Sequence, residues 1–174
     1  MDSKTIFTVD IYEKYNFLND KEIDKVINSI DKHDLMEYEF FKGNAKSTYG
    51  ALPNQQPYIL DYHKDIEDKI INELYIKNQR LADSWCNIQS IDSTLTYHNH
   101  PNSIISGIIF LKADENSSKL VFKNPVLRTQ NDTYEITPKT GMMALWPSYL
   151  MHGSGDSINK SSERIVLSFN TFFK

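Results

Sequence analysis

The stretch HNHPNSIISGIIFL, residues 98–111, joins two histidines to a run of apolar residues. The apolar part is far shorter than the roughly 20 residues of a membrane helix. Its isoleucines favour a buried strand instead. Side chains two positions apart on a strand point to the same face. The imidazoles of His98 and His100 are therefore expected to converge on one point at the end of this strand.

Further short strands follow the same pattern through the second half of the chain. Turn-forming residues separate them, and no helical pattern lies between them. Short strands joined by tight turns predict a sandwich or a jelly roll rather than a parallel sheet. The candidates are CNIQSIDSTLTY (86–97), SIISGIIFLKA (103–113), SKLVFKN (118–124), TYEITPK (133–139), GMMALWP (141–147) and RIVLSFNTFFK (164–174).

The first 82 residues carry helical patterns. The segment FLNDKEIDKVINSID (17–31) has Asn19 and Glu22 in a capping-box layout, followed by apolar residues at helical spacing. A second apolar stripe runs through KDIEDKIINELYIKNQ (64–79). Between them, FKGNAKSTYGALPNQQP (41–57) is interpreted as an irregular loop that covers a site. The helices are expected to brace the outside of the sheet.

These patterns predict one domain over residues 1–174, with helical support and a cover loop in 1–82 and the β core in 83–174. The expected fold class is α+β and mainly β. A net charge of -4 speaks against a nucleic-acid binder, which needs a basic face. The start of the chain lacks a signal-peptide layout, and the single cysteine, Cys86, suits a reducing compartment. We expect a cytoplasmic protein without a membrane span.

A third histidine and an arginine extend the candidate site. His152 ends the segment GMMALWPSYLMH (141–152), and the segment GSGDSINKSSE (153–163) after it is interpreted as a flexible loop at the site mouth. Arg164 opens the apolar strand RIVLSFN and shares one face with Val166 and Ser168. A guanidinium in such a strand is unfavourable without an anionic partner. Arginine can bind a carboxylate through two parallel hydrogen bonds. Metal binding at the histidines, with a carboxylate ligand nearby, is therefore the favoured interpretation.

The order of these blocks resembles the iron(II)- and 2-oxoglutarate-dependent oxygenases, which have a double-stranded β-helix, a cupin-like jelly roll. A bacterial and phage branch of that superfamily shows an HxHPNSxxSGxxYL block, then an FPSxLxH element and RxSxSFN. Here the blocks are HNHPNSIISGIIFL (98–111), GMMALWPSYLMH (141–152) and RIVLSFN (164–170). SWCNIQS (84–90) is similar to the W-x-N strand of that branch. The resemblance covers residues 84–173 and implies the same fold.

The resemblance also implies roles for single residues. His98 and His152 fall where two iron-binding histidines belong, and His100 stands where most members have Asp or Glu. A different assignment has His100 as the first ligand and Asn102 in place of the acid. The residues expected to bind the distal carboxylate of 2-oxoglutarate are Arg164 and Ser168, with Ser106 as a replacement for the phenol that Phe110 lacks. Asn102 and Asn87 are expected to contact the substrate, and no catalytic residue is expected beyond the metal centre.

The implied activity is hydroxylation of a small-molecule or peptidyl substrate. The reaction would use bound Fe(II), consume 2-oxoglutarate and O2, and release succinate and CO2. One rival is a three-histidine dioxygenase of the cupin type that needs no 2-oxoglutarate, and it leaves Arg164 without an assigned carboxylate. Another rival is a non-catalytic jelly-roll module with a structural metal. A structural zinc site needs a fourth ligand, for which Asp156 is the candidate.

Overall fold

Two helices and eleven strands lie within the residues that the computed structural model describes, which are 8–30, 35–49, 63–126 and 132–174. The order is β1 (Tyr12–Lys14), α1 (Asp20–Ser29), β2 (Phe41–Lys42), β3 (Ala45–Ser47), α2 (His63–Glu73), β4 (Gln79–Gln89), β5 (Thr94–Leu95), β6 (Ile105–Lys112), β7 (Leu120–Lys123), β8 (Thr133–Ile136), β9 (Met143–Pro147), β10 (His152–Gly153) and β11 (Arg164–Phe173).

The strands form one large and two small antiparallel sheets. The large sheet has the order β1-β9-β6-β11-β4-β3, a second sheet has the order β10-β7-β8, and β2 pairs with β5. Apolar side chains from the large sheet and from the three-stranded sheet pack against one another in the space between the two sheets. The predicted jelly roll is confirmed, and its interior lies between these two sheets. The residues of this inner core are Ile108, Phe110, Leu120, Phe122, Ile136, Met142, Ala144, Trp146, Leu150 and Val166.

The two faces of β11 differ as the alternation of its sequence predicts. Ile165, Leu167 and Phe169 belong to the outer core, whereas Val166 packs into the inner core. Gly107 on β6 lies against this outer layer, where an added Cβ would come within 2.2 Å of the Phe169 ring. The absence of a side chain at Gly107 therefore makes room for that ring.

The two helices cover the outer face of the large sheet, as expected. Helix α1 begins with the predicted capping box, since Asn19 Oδ1 accepts from the Glu22 N–H (3.1 Å) and Glu22 accepts from the Asn19 N–H (2.9 Å). Buried residues of both helices join the outer core, among them Ile23, Val26 and Ile70. No helix in the described ranges is long and apolar enough to cross a membrane. The cytoplasmic location stays a prediction.

The N-terminal part contributes more strand than its sequence predicts. The segment 41–57, interpreted as irregular, contains β2 and β3, and its residues 50–57 lie outside the described part of the chain. Strand β4 starts at Gln79, before the expected boundary at residue 83, and its candidate segment is interrupted by a turn in which Asp92 has a φ of 64°. Strands β2 and β3 were missed because segments of two and three residues are too short to show an alternating pattern.

Candidate metal centre

Backbone pairing brings the three histidines of the second half together. His98 and His152 form a mutual bridge in which each N–H donates to the other's carbonyl at 2.9 Å. The N–H of His100 donates to the carbonyl of Ser148 at 3.0 Å. The segments before β6 and before β10 therefore run antiparallel. The potential ligand atoms of His98, His100 and His152 all lie within 4.8 Å of one another.

Two of these imidazoles are held in a fixed orientation by their own backbone. Nδ1 of His98 lies 2.9 Å from the Thr96 carbonyl, and Nδ1 of His152 lies 2.9 Å from the Leu150 carbonyl. A carbonyl only accepts, so each Nδ1 carries the proton and each Nε2 keeps its lone pair. Histidines that bind metals in proteins show this same contact. The lone pairs of His98 and His152 are thus available for a shared ion.

Burial keeps the three imidazoles neutral. It lowers the pKa of His98, lowers that of His100 to about 4, and lowers that of His152 well below its usual value. Aromatic rings form the apolar surroundings: Phe40 stacks on His98 with ring centroids 5.0 Å apart, and Trp146 lies 4.7 Å from His152. Neutral imidazole is the form that binds transition metals. At neutral pH all three side chains are therefore in the binding form.

No carboxylate or thiol joins this cluster among the residues in the described ranges. Asp156, the candidate for a fourth ligand, is exposed and does not belong to it. A structural zinc site normally closes with four ligands. The cluster instead presents three donors on one side, which leaves coordination positions for other molecules.

Arg164 is buried, and only part of the hydrogen-bonding capacity of its guanidinium is used. It is 4% exposed, and its Nη1 donates to Gln89 Oε1 at 2.5 Å. Its Nε has no hydrogen-bond partner among the residues that the structure describes, and its guanidinium lies 5.2 Å from the centroid of the Phe110 ring. Burial lowers its pKa to about 10, so it stays charged at neutral pH. Within the described part of the chain, no carboxylate forms an ion pair with it. The arginine is therefore ready to bind an anion from outside the chain.

A single cavity of about 440 Å³ contains both features. Its wall includes the three histidines and Arg164. Ser168, Asn87 and Asn102 also line it. Asn87 Nδ2 donates to Ser168 Oγ at 3.3 Å, while Ser47 Oγ donates to Asn87 Oδ1 at 2.6 Å. Asn102 is an exposed turn residue with a φ of 72°, and lies at the cavity mouth.

Ser106 has a different place from the other predicted residues. The residue is 1% exposed, and its hydroxyl is hydrogen-bonded to Asn170 Oδ1 (2.7 Å) and Ser148 Oγ (2.9 Å). It positions Asn170, which itself lines the cavity. Asn170, Gln89 and Asp83 are wall residues that the sequence analysis did not assign to the site. Their alternation with Trp85 and Asn87 on β4, or with Ser168 on β11, is the signal that could have found them.

The model of a 2OG-Fe(II) oxygenase family matches residues 83–170, which is half of the chain and includes all three histidines and Arg164. The chain belongs to this 2OG-Fe(II) oxygenase family. As a family member, the oxygenase depends on Fe(II), 2-oxoglutarate and O2, which are the cofactor and co-substrates that its motifs implied.

Solved structures of other oxygenases share the fold at low sequence identity. A 2OG-Fe(II) oxygenase family oxidoreductase from Burkholderia pseudomallei gives a TM-score of 0.71 at 11% identity, covering 92% of this chain and 84% of its own. A Pseudomonas putida prolyl-4-hydroxylase gives 0.65 at 14%, covering 96% and 94%. HygX from Streptomyces hygroscopicus, with nickel and 2-oxoglutarate bound, gives 0.70 at 12%, covering 94% and 83%. No curated protein matches this oxygenase in sequence.

Proposed function

We propose that this oxygenase hydroxylates a C–H bond of a small-molecule or peptidyl substrate, with iron bound by His98, His100 and His152. The observation that carries the proposal is that three neutral imidazoles share one cavity with a buried arginine that has no anionic partner among the described residues. The first feature suits a metal, and the second suits a carboxylate of a co-substrate held beside it.

The donor set fits Fe(II). Imidazole nitrogens bind iron as well as zinc, copper and nickel. Three neutral ligands leave more positive charge on the metal than a set with one carboxylate does. In our proposal, His100 replaces the acid of the usual set, and the added positive charge favours a dianionic co-substrate. The convergence of the three side chains supports this set over one that uses Asn102, which lies exposed at the mouth.

Arg164 and Ser168 are proposed to hold the distal carboxylate of 2-oxoglutarate. Gln89 fixes one side of the guanidinium through Nη1, and no group in the described part of the chain accepts from Nε. Asn87 donates to Ser168 Oγ, so the hydroxyl proton of Ser168 is free to point at the carboxylate. When bound, iron and 2-oxoglutarate supply the oxidising chemistry, in which O2 and 2-oxoglutarate are consumed, succinate and CO2 are released and the substrate gains a hydroxyl group. The aromatic wall excludes water from that reaction.

Asn87 and Asn102 are proposed to contact the substrate through their amide groups, since both line the cavity that contains the histidines. Among the structural neighbours, one is a prolyl-4-hydroxylase and another has hygromycin B bound. A peptidyl or small polar substrate is in keeping with these amide contacts. The acidic net charge of -4 speaks against nucleic acid.

Succinate formation tests the proposed reaction. The purified protein is incubated in air with Fe(II), ascorbate and 2-oxoglutarate, and succinate is measured over hours. We expect more succinate than protein, and a loss of at least about tenfold in Arg164→Ala, because a charged contact contributes more than 1.4 kcal/mol. Glu115→Gln, an exposed change outside the cavity, is the control and should match the wild type. Succinate no higher than in iron-free samples would contradict the proposal. A rate of O2 uptake that does not depend on 2-oxoglutarate would favour the cupin-type dioxygenase.

A further inference from the structure

A half-buried carboxylate, that of Asp83, lies at the opposite end of the cavity from Arg164. The alternate residues Asp83, Trp85, Asn87 and Gln89 of β4 all line the cavity. Gln89 pairs with Arg164, and Asp83 pairs with Asn170, six residues further along β11. At 3.3 Å per residue, these pairs are about 20 Å apart. The cavity therefore has a cationic end, assigned above to 2-oxoglutarate, and an anionic end with no assigned ligand.

Asp83 lacks a positively charged partner. Within the described ranges, its buried Oδ1 has no hydrogen bond, and no lysine or arginine forms an ion pair with it. Hydrogen bonding from Asn170 offsets part of the cost of removing this carboxylate from water. Ser106 orients that asparagine by donating to its Oδ1 at 2.7 Å. Desolvation nevertheless dominates and raises the pKa of Asp83. Such a carboxylate gains most from a cation that brings its own hydrogen-bond donors.

Aromatic rings connect Asp83 with the metal centre. Tyr38 and Tyr49 lie 4.9 Å apart between ring centroids, and Tyr49 lies 4.9 Å from Trp85. Trp85 in turn is 5.6 Å from the ring of His100. Tyr38 and Tyr49 line the same cavity as Asp83, and the charge of Asp83 adds to burial in raising the pKa of Tyr49. Aromatic faces attract ammonium and guanidinium groups, and the attraction increases when water is excluded.

We propose that the substrate of this oxygenase carries a cationic nitrogen, as an ammonium or guanidinium group, which binds Asp83 against the faces of Tyr49 and Trp85. This assignment rests on the proposed function, because it names the substrate class of the same site. Asp83 accepts the donors of the cation, and Asn170 keeps the carboxylate in place. The part of the substrate beyond the cation extends past Trp85 towards the three histidines, while Arg164 at the far end holds the co-substrate.

A neutral substrate of the same shape would leave the carboxylate of Asp83 without a counter-charge. An anionic substrate would add repulsion at the same point. The other charged residues that line the cavity are Lys119, whose Nζ pairs with Glu135 at 2.7 Å, and Arg164. Asp83 is thus the only carboxylate that the cavity wall offers in the described part of the chain. Selection for a positive charge follows from this arrangement.

Pairs of probes that differ in charge but not in shape test the proposal. N-acetyl-L-arginine amide is compared with N-acetyl-L-citrulline amide, and N-acetyl-L-lysine amide with the amide of N-acetyl-L-2-aminoheptanoic acid, in which a methyl group replaces the ammonium group. Binding to the protein is measured by ligand-detected NMR, with and without Fe(II) and 2-oxoglutarate under argon. We expect at least one cationic probe to bind fivefold or more tightly than its neutral partner, since a charge-assisted hydrogen bond is stronger than a neutral one. Asp83→Asn should remove the preference, and Glu115→Gln, which removes a charge outside the cavity, should keep it.

The outcomes separate this inference from the proposed function. Equal binding of both members in each pair, a preference that survives in Asp83→Asn, or no binding of any probe at millimolar concentration would each overturn the cation subsite. The wild-type probe pairs decide the matter even if Asp83→Asn folds poorly. A cation preference in a protein that forms no succinate would instead overturn the proposed reaction and leave the subsite intact.

Discussion

At the scale of single residues, backbone contacts determine where the side chains of the candidate metal centre lie. The spacing of His98 and His100 predicted a shared face, and the structure brings His152 to the same point. The anchoring of His98 and His152 to carbonyls two residues earlier could not be read from the sequence, because it depends on the local backbone bend. Alternation along β4 could have placed Gln89 on the same face as Asn87, but its contact with Arg164 follows from strand register, which the sequence does not show.

Removing one proposed ligand should eliminate tight metal binding. We expect His152→Ala to bind less than one Fe(II) per chain under anaerobic equilibrium dialysis, because only two imidazoles of the cluster remain. Asn99→Ala, a change between His98 and His100 that removes no ligand, should still bind one. Full retention of iron by His152→Ala would mean that the proposed ligand set is wrong.

Cys86 should make stability sensitive to alkaline pH. Burial raises the pKa of its thiol to about 12, above the usual value near 8.5 of an unfolded chain. Between these values the native state holds a proton that the unfolded state has released, so stability falls as pH rises. Urea unfolding at pH 9 and pH 10 should show a loss about 1 kcal/mol larger for the wild type than for Cys86→Ala. An equal loss of stability between pH 9 and pH 10 in the wild type and in Cys86→Ala would contradict a raised pKa for this thiol.

At the scale of elements, long segments with strong patterns were predicted well and short ones were not. Helix α1 has its predicted capping box, and β6, β9 and β11 lie where their apolar runs indicated. Strands β2 and β3, of two and three residues, form through pairing with β5 and β4, which a local pattern cannot show. The segment 153–163 was wrongly interpreted as flexible. Its Asn159 is fully buried and hydrogen-bonded, which no periodicity reveals.

Asn159 should be important for stability. Its Nδ2 donates to the carbonyls of Ser90 (2.9 Å) and Ser161 (3.0 Å), and its Oδ1 accepts from the Ser118 N–H (3.2 Å). Asn159→Ala leaves these buried groups unpaired, so we expect the free energy of unfolding to fall by about 3 kcal/mol. Urea denaturation measures this loss. The exposed Asn116→Ala should change it by less than about 0.5 kcal/mol, and equal effects of the two changes would refute the anchoring role.

At the scale of the whole molecule, the large sheet needs a cover on both faces. The three-stranded sheet covers the inner face, and α1 and α2 cover the outer face. The sequence indicated this arrangement through the apolar stripes of the helices and the two apolar faces of the strands. It could not indicate that β1 and β3 extend the sheet at its two edges, since edge pairing is decided by the completed sheet.

The two halves of the chain are expected to fold as one unit. A fragment of residues 83–174 lacks the start of β4, both edge strands and both helices, and it exposes the outer core to water. We expect it to show no cooperative thermal unfolding by circular dichroism, whereas the full chain unfolds in one transition. Cooperative unfolding together with iron binding by the fragment would show that the β core is independent of residues 1–82.

The central claim is that iron at the three histidines and the carboxylate site at Arg164 together bind 2-oxoglutarate. Titration of the Fe(II)-loaded protein with 2-oxoglutarate under argon tests this most directly, through the weak visible charge-transfer band of the chelate. We predict a saturable band in the wild type and in Glu115→Gln, and a requirement for at least about tenfold more 2-oxoglutarate in Arg164→Ala. No band in the wild type, or an unchanged titration of Arg164→Ala, would contradict the account.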